Sequence, residues 1–385
     1  MKTMVVPLFS VMLIVTSTIA QVDSNFHCYL LFGQSNMAGG GAGVPLGGSG
    51  SGTLITEDCD TSTRVKVLAF CNCNAGSIVA CPNKAPQGRT ADNWYTASPA
   101  LHICGEGVSP GDWFAKTLLD SIRDDIKIGL IPCALSGQGL QVFVKDGSNF
   151  NIPNWAHPTL GNSSPYTWML NRCKKAQETG VIKGILLHQG ESGSGSRPWG
   201  DVAKQIMDDL KKDLNLPSTL PVVVGELRQD AKACCSGANT AINNFSKSYP
   251  KCGLASSLNL GVQTNDTTYV NGQMKIENDP FHFNPEGMRE FGKRYARAFL
   301  SIADNKFIPR KVEVAVNTPK IQRAVSSQSL KSWNENVRIF SLNGKMVSQS
   351  ANNDKNDYLK GLQPGSIYVV RRNNGASTQL MLVVP

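Results

Sequence analysis

Apolar positions along the chain follow two alternating rhythms. Short runs rich in branched residues have the length and composition of buried strands: FHCYLLF (26–32), VKVLAF (65–70), KIGLIPCAL (127–135), KGILLHQ (183–189) and LPVVVGE (220–226). Between and after them lie amphipathic stretches of helical period: DWFAKTLLDSI (112–122), TWMLNRCKKAQE (167–178), VAKQIMDDLKKDL (202–214) and PEGMREFGKRYARAFLSI (285–302). In the last of these, Pro285 suits a first helical turn, and Met288, Phe291, Tyr295 and Phe299 recur on one face. Strands alternating with helices predict an α/β fold with a mainly parallel sheet covered on both sides. Ligands of such sheets bind beyond the carboxyl ends of the strands. GQSNMAG (33–39), SGQGL (136–140) and HQGES (188–192) all fall there.

Both ends of the chain depart from this rhythm. Residues 1–20 open with Met1-Lys2-Thr3, run apolar to Ile19 and end on small residues, the pattern of a secretory signal peptide. Pro7 and several hydroxyl residues interrupt the run, which is short for a membrane span. No later segment is long and apolar enough to cross a bilayer, so an exported, soluble protein is expected. From Lys306 onward cysteine and histidine vanish and short β-type runs appear: KVEVAV (311–316), NVRIFSLNGKMVSQ (336–349), GSIYVVRR (365–372) and TQLMLVVP (378–385). Asn343-Gly344 and Asn374-Gly375 are hairpin-turn signals. The expected organisation is a signal peptide (1–20), an α/β domain (21–305) and a small β-sandwich (306–385).

Composition changes the picture in two places. The 385 residues carry a formal charge of +9, but twelve Lys and Arg against four Asp and Glu lie from Lys306 onward. The main body is therefore near neutral and offers no uniformly basic face. With no aromatic-glycine RNA motif or zinc finger in the tail, a nucleic-acid partner is not expected. Eleven cysteines fit an oxidising compartment. Cys71, Cys73, His102 and Cys104 would be the zinc reading, but paired C-x-x-C knuckles are missing and disulfides are favoured. Cys73 to Cys104 and Cys234 to Cys252 are reasonable bridges; the connectivity is open, and an odd total leaves at least one thiol over. No metal or cofactor is expected.

Ser35 sits in a tight turn directly after the first strand. A serine hydroxyl becomes a nucleophile only when a base takes its proton, and the base must be held by a third group. Five histidines are available. His27 lies within the first strand, His102 and His157 in loops, and His188 before Gln189-Gly190-Glu191, where it could hold a loop in place. His282 differs, because Asp279 lies three residues upstream around a proline-containing turn. That carboxylate can accept the imidazole Nδ1–H and leave Nε2 facing a serine.

Taken together, GQSNMAG (33–39), ILLHQGES (185–192) and DPFHFNPEGMREFGKRYA (279–296) resemble the carbohydrate esterase branch of the SGNH hydrolases, which includes family 6 acetylxylan esterases and sialate O-acetylesterases. The likeness spans about residues 26 to 302, with the blocks in family order. It implies a three-layer α/β/α sandwich of flavodoxin-like type and a two-step ester hydrolysis. Ser35 is then the nucleophile, His282 the proton carrier and Asp279 its orienting acid, with Glu191 as a supporting or alternate acid. The oxyanion hole would comprise the Ser35 N–H, a glycine N–H from ALSGQGL (134–140) and the Gln189 amide. Gly137 is the chosen glycine and Gly139 its alternative, because this block lacks the usual glycine pair. Trp94, Tyr95, Trp155 and Trp199, read as loop residues, are candidates for stacking on sugars.

The tail, through VRIFSLNGKMV and LKGLQPGSIYVVRR, resembles basic β domains that end secreted fibre-degrading bacterial enzymes, including sorting domains of the type IX export route. This implies passage through secretion machinery or attachment at the cell surface, with polysaccharide binding as a rival role. The leading expectation is an extracellular O-acetylesterase acting on acetylated xylan or a related hemicellulose. A lipase or thioesterase of the same superfamily would need an apolar lid, and no long segment supplies one. A non-catalytic carbohydrate-binding protein would have no need of Ser35, Asp279 and His282 together.

Overall fold

The computed structural model describes residues 22–40, 54–77, 87–145, 157–263, 265–270 and 273–303, together with the backbone of four strands between 337 and 382. Residues 1–20, read as a signal peptide, Cys81, Trp155, KVEVAV (311–316) and the two Asn-Gly pairs of the tail lie outside the described residues. Contacts divide the chain into two compact units, Met1–Lys311 and Val312–Pro385.

In chain order the first unit contains β1 (Phe26–Gly33), the single-turn helix α1 (Ser35–Ala38), β2 (Val65–Leu68), β3 (Trp94–Thr96), α2 (Pro110–Leu119), β4 (Lys127–Ala134), α3 (His157–Leu160) and α4 (Pro165–Gln177). It continues with β5 (Val181–His188), α5 (Trp199–Asp213), β6 (Val222–Gly225), α6 (Asn239–Ser248), β7 (Cys252–Ala255), the hairpin β8 (Asn265–Val270) and β9 (Gln273–Asn278), and α7 (Pro285–Ile302). The seven-stranded sheet runs β3-β2-β4-β1-β5-β6-β7. Only β3 pairs antiparallel, through Leu68↔Trp94 and Val67↔Tyr95.

Alternation along β1 sorts the core. Cys28, Leu30 and Phe32 face α4, α5 and α6 through Met169, Ile206 and Phe245, among others. Tyr29 and Leu31 face α2 and α7 through Phe114, Met288, Phe291 and Phe299. Helices thus cover both sheet faces, and β1, central in the sheet, is buried along its whole length. Each fully buried Phe or Leu contributes about 1.5–3 kcal/mol of burial free energy. Helix ends are set locally. The Asn284 side chain accepts the Gly287 N–H at 2.8 Å ahead of Pro285. Ser109 and Asp112 form a reciprocal capping box at the start of α2.

Three sequence expectations are corrected. Trp94 and Tyr95 lie on strand β3, because β2 leaves an edge that this short segment pairs with. Trp199 opens α5, with its ring buried against Phe245 at 5.6 Å. Cys234 is bonded to Cys235, not to Cys252, which is a free thiol in β7. The Cys73–Cys104 bridge is present.

In the second unit β10 (Val337–Ser341), β11 (Met346–Gln349), β12 (Ile367–Arg372) and β13 (Thr378–Leu382) form an antiparallel sheet of order β11-β10-β12-β13. Among the described residues it is a single sheet.

Candidate active site

The chain leaves β1 to build β2 and β4 on one side, then crosses from β4 to build β5, β6 and β7 on the other. Such a reversal opens a crevice at the carboxyl ends of the central strands. The registers Gly33↔Ala134 and Gly33↔His188 bring the segments after β1, β4 and β5 side by side there. Gly33 is required by contact as well as conformation: at φ +139°, a Cβ would lie 1.9 Å from the His188 carbonyl oxygen. The next residue, Gln34, donates its N–H to that same oxygen at 3.2 Å, and α1 then begins at Ser35.

His282 arrives from the loop between β9 and α7. Its Nε2 lies 2.8 Å from Ser35 Oγ, across 247 positions of chain. Its Nδ1 lies 2.8 Å from Asp279 Oδ2. A carboxylate only accepts, so Nδ1 carries the hydrogen and Nε2 is left to accept from the serine. The Asp279 side chain is buried, at 2% exposure, whereas that of His282 is 20% exposed. Asp279 Oδ1 also accepts the Phe281 N–H at 2.7 Å and the His282 N–H at 3.0 Å. Burial alone would raise the Asp279 pKa; the bond and charge of His282 and these two N–H groups outweigh it and hold the carboxyl below its ordinary value. Behind the loop, Arg228 donates to the Asp279 carbonyl and, at 2.9 Å, to that of Gln263.

Glu191 is placed elsewhere. Its Oε1 accepts from His188 Nε2 at 3.0 Å and from Asn36 Nδ2 at 2.6 Å. Burial pushes its carboxyl up, but the His188 imidazole, a backbone N–H and Asn36 together lower it. Asn36, fully buried beside Ser35, also donates to the Phe281 carbonyl at 3.0 Å and accepts the Phe283 N–H at 3.3 Å. Asp279 is therefore the carboxylate on His282, and Glu191 braces the turn that carries Ser35.

Of the expected oxyanion donors, the Ser35 N–H opens the first turn of α1, where a helix supplies no acceptor. Gly137 sits at φ +74° in a turn closed by Gln138 N–H to Leu135 O at 3.2 Å, a conformation suited to glycine. Gly139 instead precedes the 3-10 turn Leu140–Phe143 at φ −75°. Gln189 is wholly buried and donates from Nε2 to the Gln138 carbonyl, which leaves one amide hydrogen uncommitted by that bond. Trp199 Nε1 holds the Gln189 carbonyl at 3.1 Å.

Sequence reasoning missed several neighbours. Asn36 lies next to Ser35 in the first block, yet nothing local marks it as a bridge. Glu106 accepts from Ser136 Oγ at 2.9 Å, just before Gly137. Burial pushes its carboxyl up to about 7, against the lowering pull of Ser136, a backbone N–H and His282. The other histidines lie apart from Ser35 in role: His27 is buried in β1 and held down to about 4 by burial, and His102 is buried against Phe70 and held down to about 3. In the former zinc set, Cys71, Cys73 and Cys104 cluster without His102, and two of those sulfurs are bonded to each other.

A mostly parallel α/β sheet with a hydroxyl, an imidazole and a carboxylate in one hydrogen-bonded line beyond its strand ends has serine-hydrolase geometry. The family model described as carbohydrate esterase, sialic acid-specific acetylesterase (SASA), matches residues 25–301, well over half of the chain, and the chain belongs to that family. It is thus a carbohydrate esterase, a hydrolase acting on ester bonds. Among solved structures, a protein from Arabidopsis thaliana is similar at 21% identity and a TM-score of 0.51, over 72% of this chain and 99% of that one, and shares the fold. A novel carbohydrate acetylesterase from Xanthomonas citri matches at 17% identity and a TM-score of 0.46, over 72% of this chain and 56% of that one. NanS matches at 16% identity and a TM-score of 0.48, over 73% of this chain and 98% of that one.

Proposed function

We propose that this carbohydrate esterase removes O-acetyl groups by a serine mechanism centred on Ser35. The observation that carries the reading is the line Ser35 Oγ, His282 Nε2, His282 Nδ1, Asp279 Oδ2, with both hydrogen bonds at 2.8 Å. Ser35 Oγ attacks the acetyl carbonyl carbon as its proton passes to His282 Nε2. The imidazolium, steadied by Asp279, returns that proton to the leaving sugar oxygen as the ester C–O bond breaks. Water then attacks the acetyl-serine by the same relay and releases acetate. Negative charge on the tetrahedral oxygen is held by the Ser35 and Gly137 N–H groups and the second Gln189 amide hydrogen; one such donor is worth about 3 kcal/mol. Glu191 acts at one remove, through Asn36.

Two acetyl carriers compete. The family description favours O-acetylated sialic acid. The likeness of the basic C-terminal unit to the tails of fibre-degrading enzymes favours acetylated xylan or a related hemicellulose. With that unit and residues 1–20 we also infer export, followed by passage through a sorting route or retention at the cell surface. Acetate release measured across acetylated xylan, other acetylated polysaccharides and O-acetyl sialic acid tests the reading. Release from one class at rates far above p-nitrophenyl acetate identifies the substrate. No release from any ester, with the fold intact, overturns the esterase mechanism.

A further inference from the structure

The two loops that meet at Ser35 are fastened to each other twice. On the buried side, Asn36 bonds both Glu191 Oε1 and the Phe281 carbonyl. On the outer side the same two loops meet the Cys234–Cys235 disulfide. The Cys234 N–H donates to the Pro280 carbonyl at 3.1 Å, and Cys235 Sγ lies 3.6 Å from the Glu191 carbonyl oxygen. Residue 280 lies between Asp279 and the exposed Phe281, so the first contact falls within the turn that aims His282. Arg228, a few positions earlier in the same segment, grips the Asp279 carbonyl. Cys234 is exposed and Cys235 half-buried.

We propose that the Cys234–Cys235 disulfide is a positioning element of the catalytic loop, holding the Asp279–His282 turn against the Glu191 turn so that His282 meets Ser35. The inference rests on the serine mechanism above for its effect on rate, but not for its effect on loop order. Joining adjacent residues through their sulfurs removes side-chain and backbone freedom from the one segment that touches both loops. A dithiol restores that freedom. Reduction by dithiothreitol takes two electrons from the reagent: the S–S bond breaks, each sulfur gains a proton and becomes a thiol, and the reagent closes to its own cyclic disulfide. The site stays assembled by Asn36, but the imidazole samples poorer distances to Ser35, and an error of about 1 Å at reacting atoms costs up to roughly a hundredfold in rate.

The test uses the full chain, the variant Cys234→Ser/Cys235→Ser and, because the Cys73–Cys104 bridge and the disulfide-bonded Cys59 also reduce, the variant Cys59→Ser/Cys73→Ser/Cys104→Ser. Amide hydrogen exchange is read at Phe281 and His282, whose N–H groups bond Asp279 Oδ1. Exchange there is expected to quicken by about tenfold in the Cys234→Ser/Cys235→Ser variant and in reduced wild type. On p-nitrophenyl acetate, kcat is expected to fall about ten- to a hundredfold with KM within about twofold, and dithiothreitol to have no further effect once the two changes are added to the Cys59→Ser/Cys73→Ser/Cys104→Ser background. Should that variant fail to fold, reduced Cys59→Ser/Cys73→Ser/Cys104→Ser protein supplies the same comparison, with Cys234–Cys235 the one bridge among the described residues left to reduce. Unchanged exchange at both amides overturns the inference, as does a Cys234→Ser/Cys235→Ser variant that keeps wild-type kcat, or one that still loses activity to dithiothreitol in the Cys59→Ser/Cys73→Ser/Cys104→Ser background. The exchange readout needs no turnover, so it decides the inference even where retained activity in Ser35→Ala would end the serine mechanism.

Discussion

Asn36 Nδ2 and Glu191 Oε1 are joined at 2.6 Å across 155 positions of chain. The bond ties the residue after Ser35 to the acid that, by motif, competes with Asp279 for the histidine. The two carboxylates near one serine thus have separate partners. Asp279 bonds the His282 imidazole, while Glu191 is shared between His188 and Asn36, the residue after Ser35.

Asn36→Ala is expected to destabilise the protein and slow it together. It strips a donor from Glu191 and from the Phe281 carbonyl and an acceptor from the Phe283 N–H, and each buried group left unpaired costs about 1–3 kcal/mol. Thermal melts and kcat on p-nitrophenyl acetate check this. Asn36→Asp, which sets a second carboxylate against Glu191, is expected to be worse than Asn36→Ala; equal melting temperatures for wild type and both variants would deny the bridge any role.

Ser35→Ala is expected to leave the melting temperature within a few degrees of wild type and to cut acetate release by about four to six orders of magnitude. Near-normal turnover would remove the serine from the chemistry.

Acid is expected to switch the rate off through the imidazole. Asp279 is held below its ordinary pKa, so it stays charged while falling pH protonates the imidazole. Protonated His282 then cannot accept the serine proton. A kcat/KM profile over pH 4–8 is expected to fall on its acid side with unit slope, and a flat profile to pH 4 contradicts the role. Asp279→Asn, which loses the charge and alters the hydrogen bonding of Nδ1, is expected to lower kcat by about 10⁴.

Glu106 makes the opposite contribution to stability. Its folded pKa, about 7, lies above its ordinary value of 4.5, so the folded state holds the proton where the unfolded chain has lost it. Stability from this group therefore falls as pH rises from about 4.5 to about 7. Glu106→Gln is expected to gain stability relative to wild type between pH 5 and pH 8, as read by denaturant melts at both values. A difference that does not vary with pH would show that Glu106 titrates normally.

Gly137→Ala is expected to lower kcat more than it raises KM. Space for a Cβ is open there, but an alanine at φ +74° costs about 1–2 kcal/mol, and relief of that strain turns the N–H away from the developing oxyanion. Equal losses on alanine substitution at Gly137 and at Gly139 would return the choice between them to an open question.

Much of this was determined by sequence alone. Short runs of branched apolar residues located β1, β2, β4, β5 and β6, and helical periodicity located α2, α4, α5 and α7 but not α6 or β7; α7 begins and ends at the expected residues, 285 and 302. Those patterns are local consequences of which face each element buries. The D-x-x-H turn was legible for the same reason, since its two partners are three residues apart. Tertiary structure alone decided what lies between distant segments. Strand order made neighbours of the ends of β1, β4 and β5; an open edge on β2 recruited Trp94 and Tyr95 into a strand; and Asn36 and Glu106 met Glu191 and Ser136. None of these has a period or a spacing, because each depends on how far apart in space two surfaces come to rest once the core has closed.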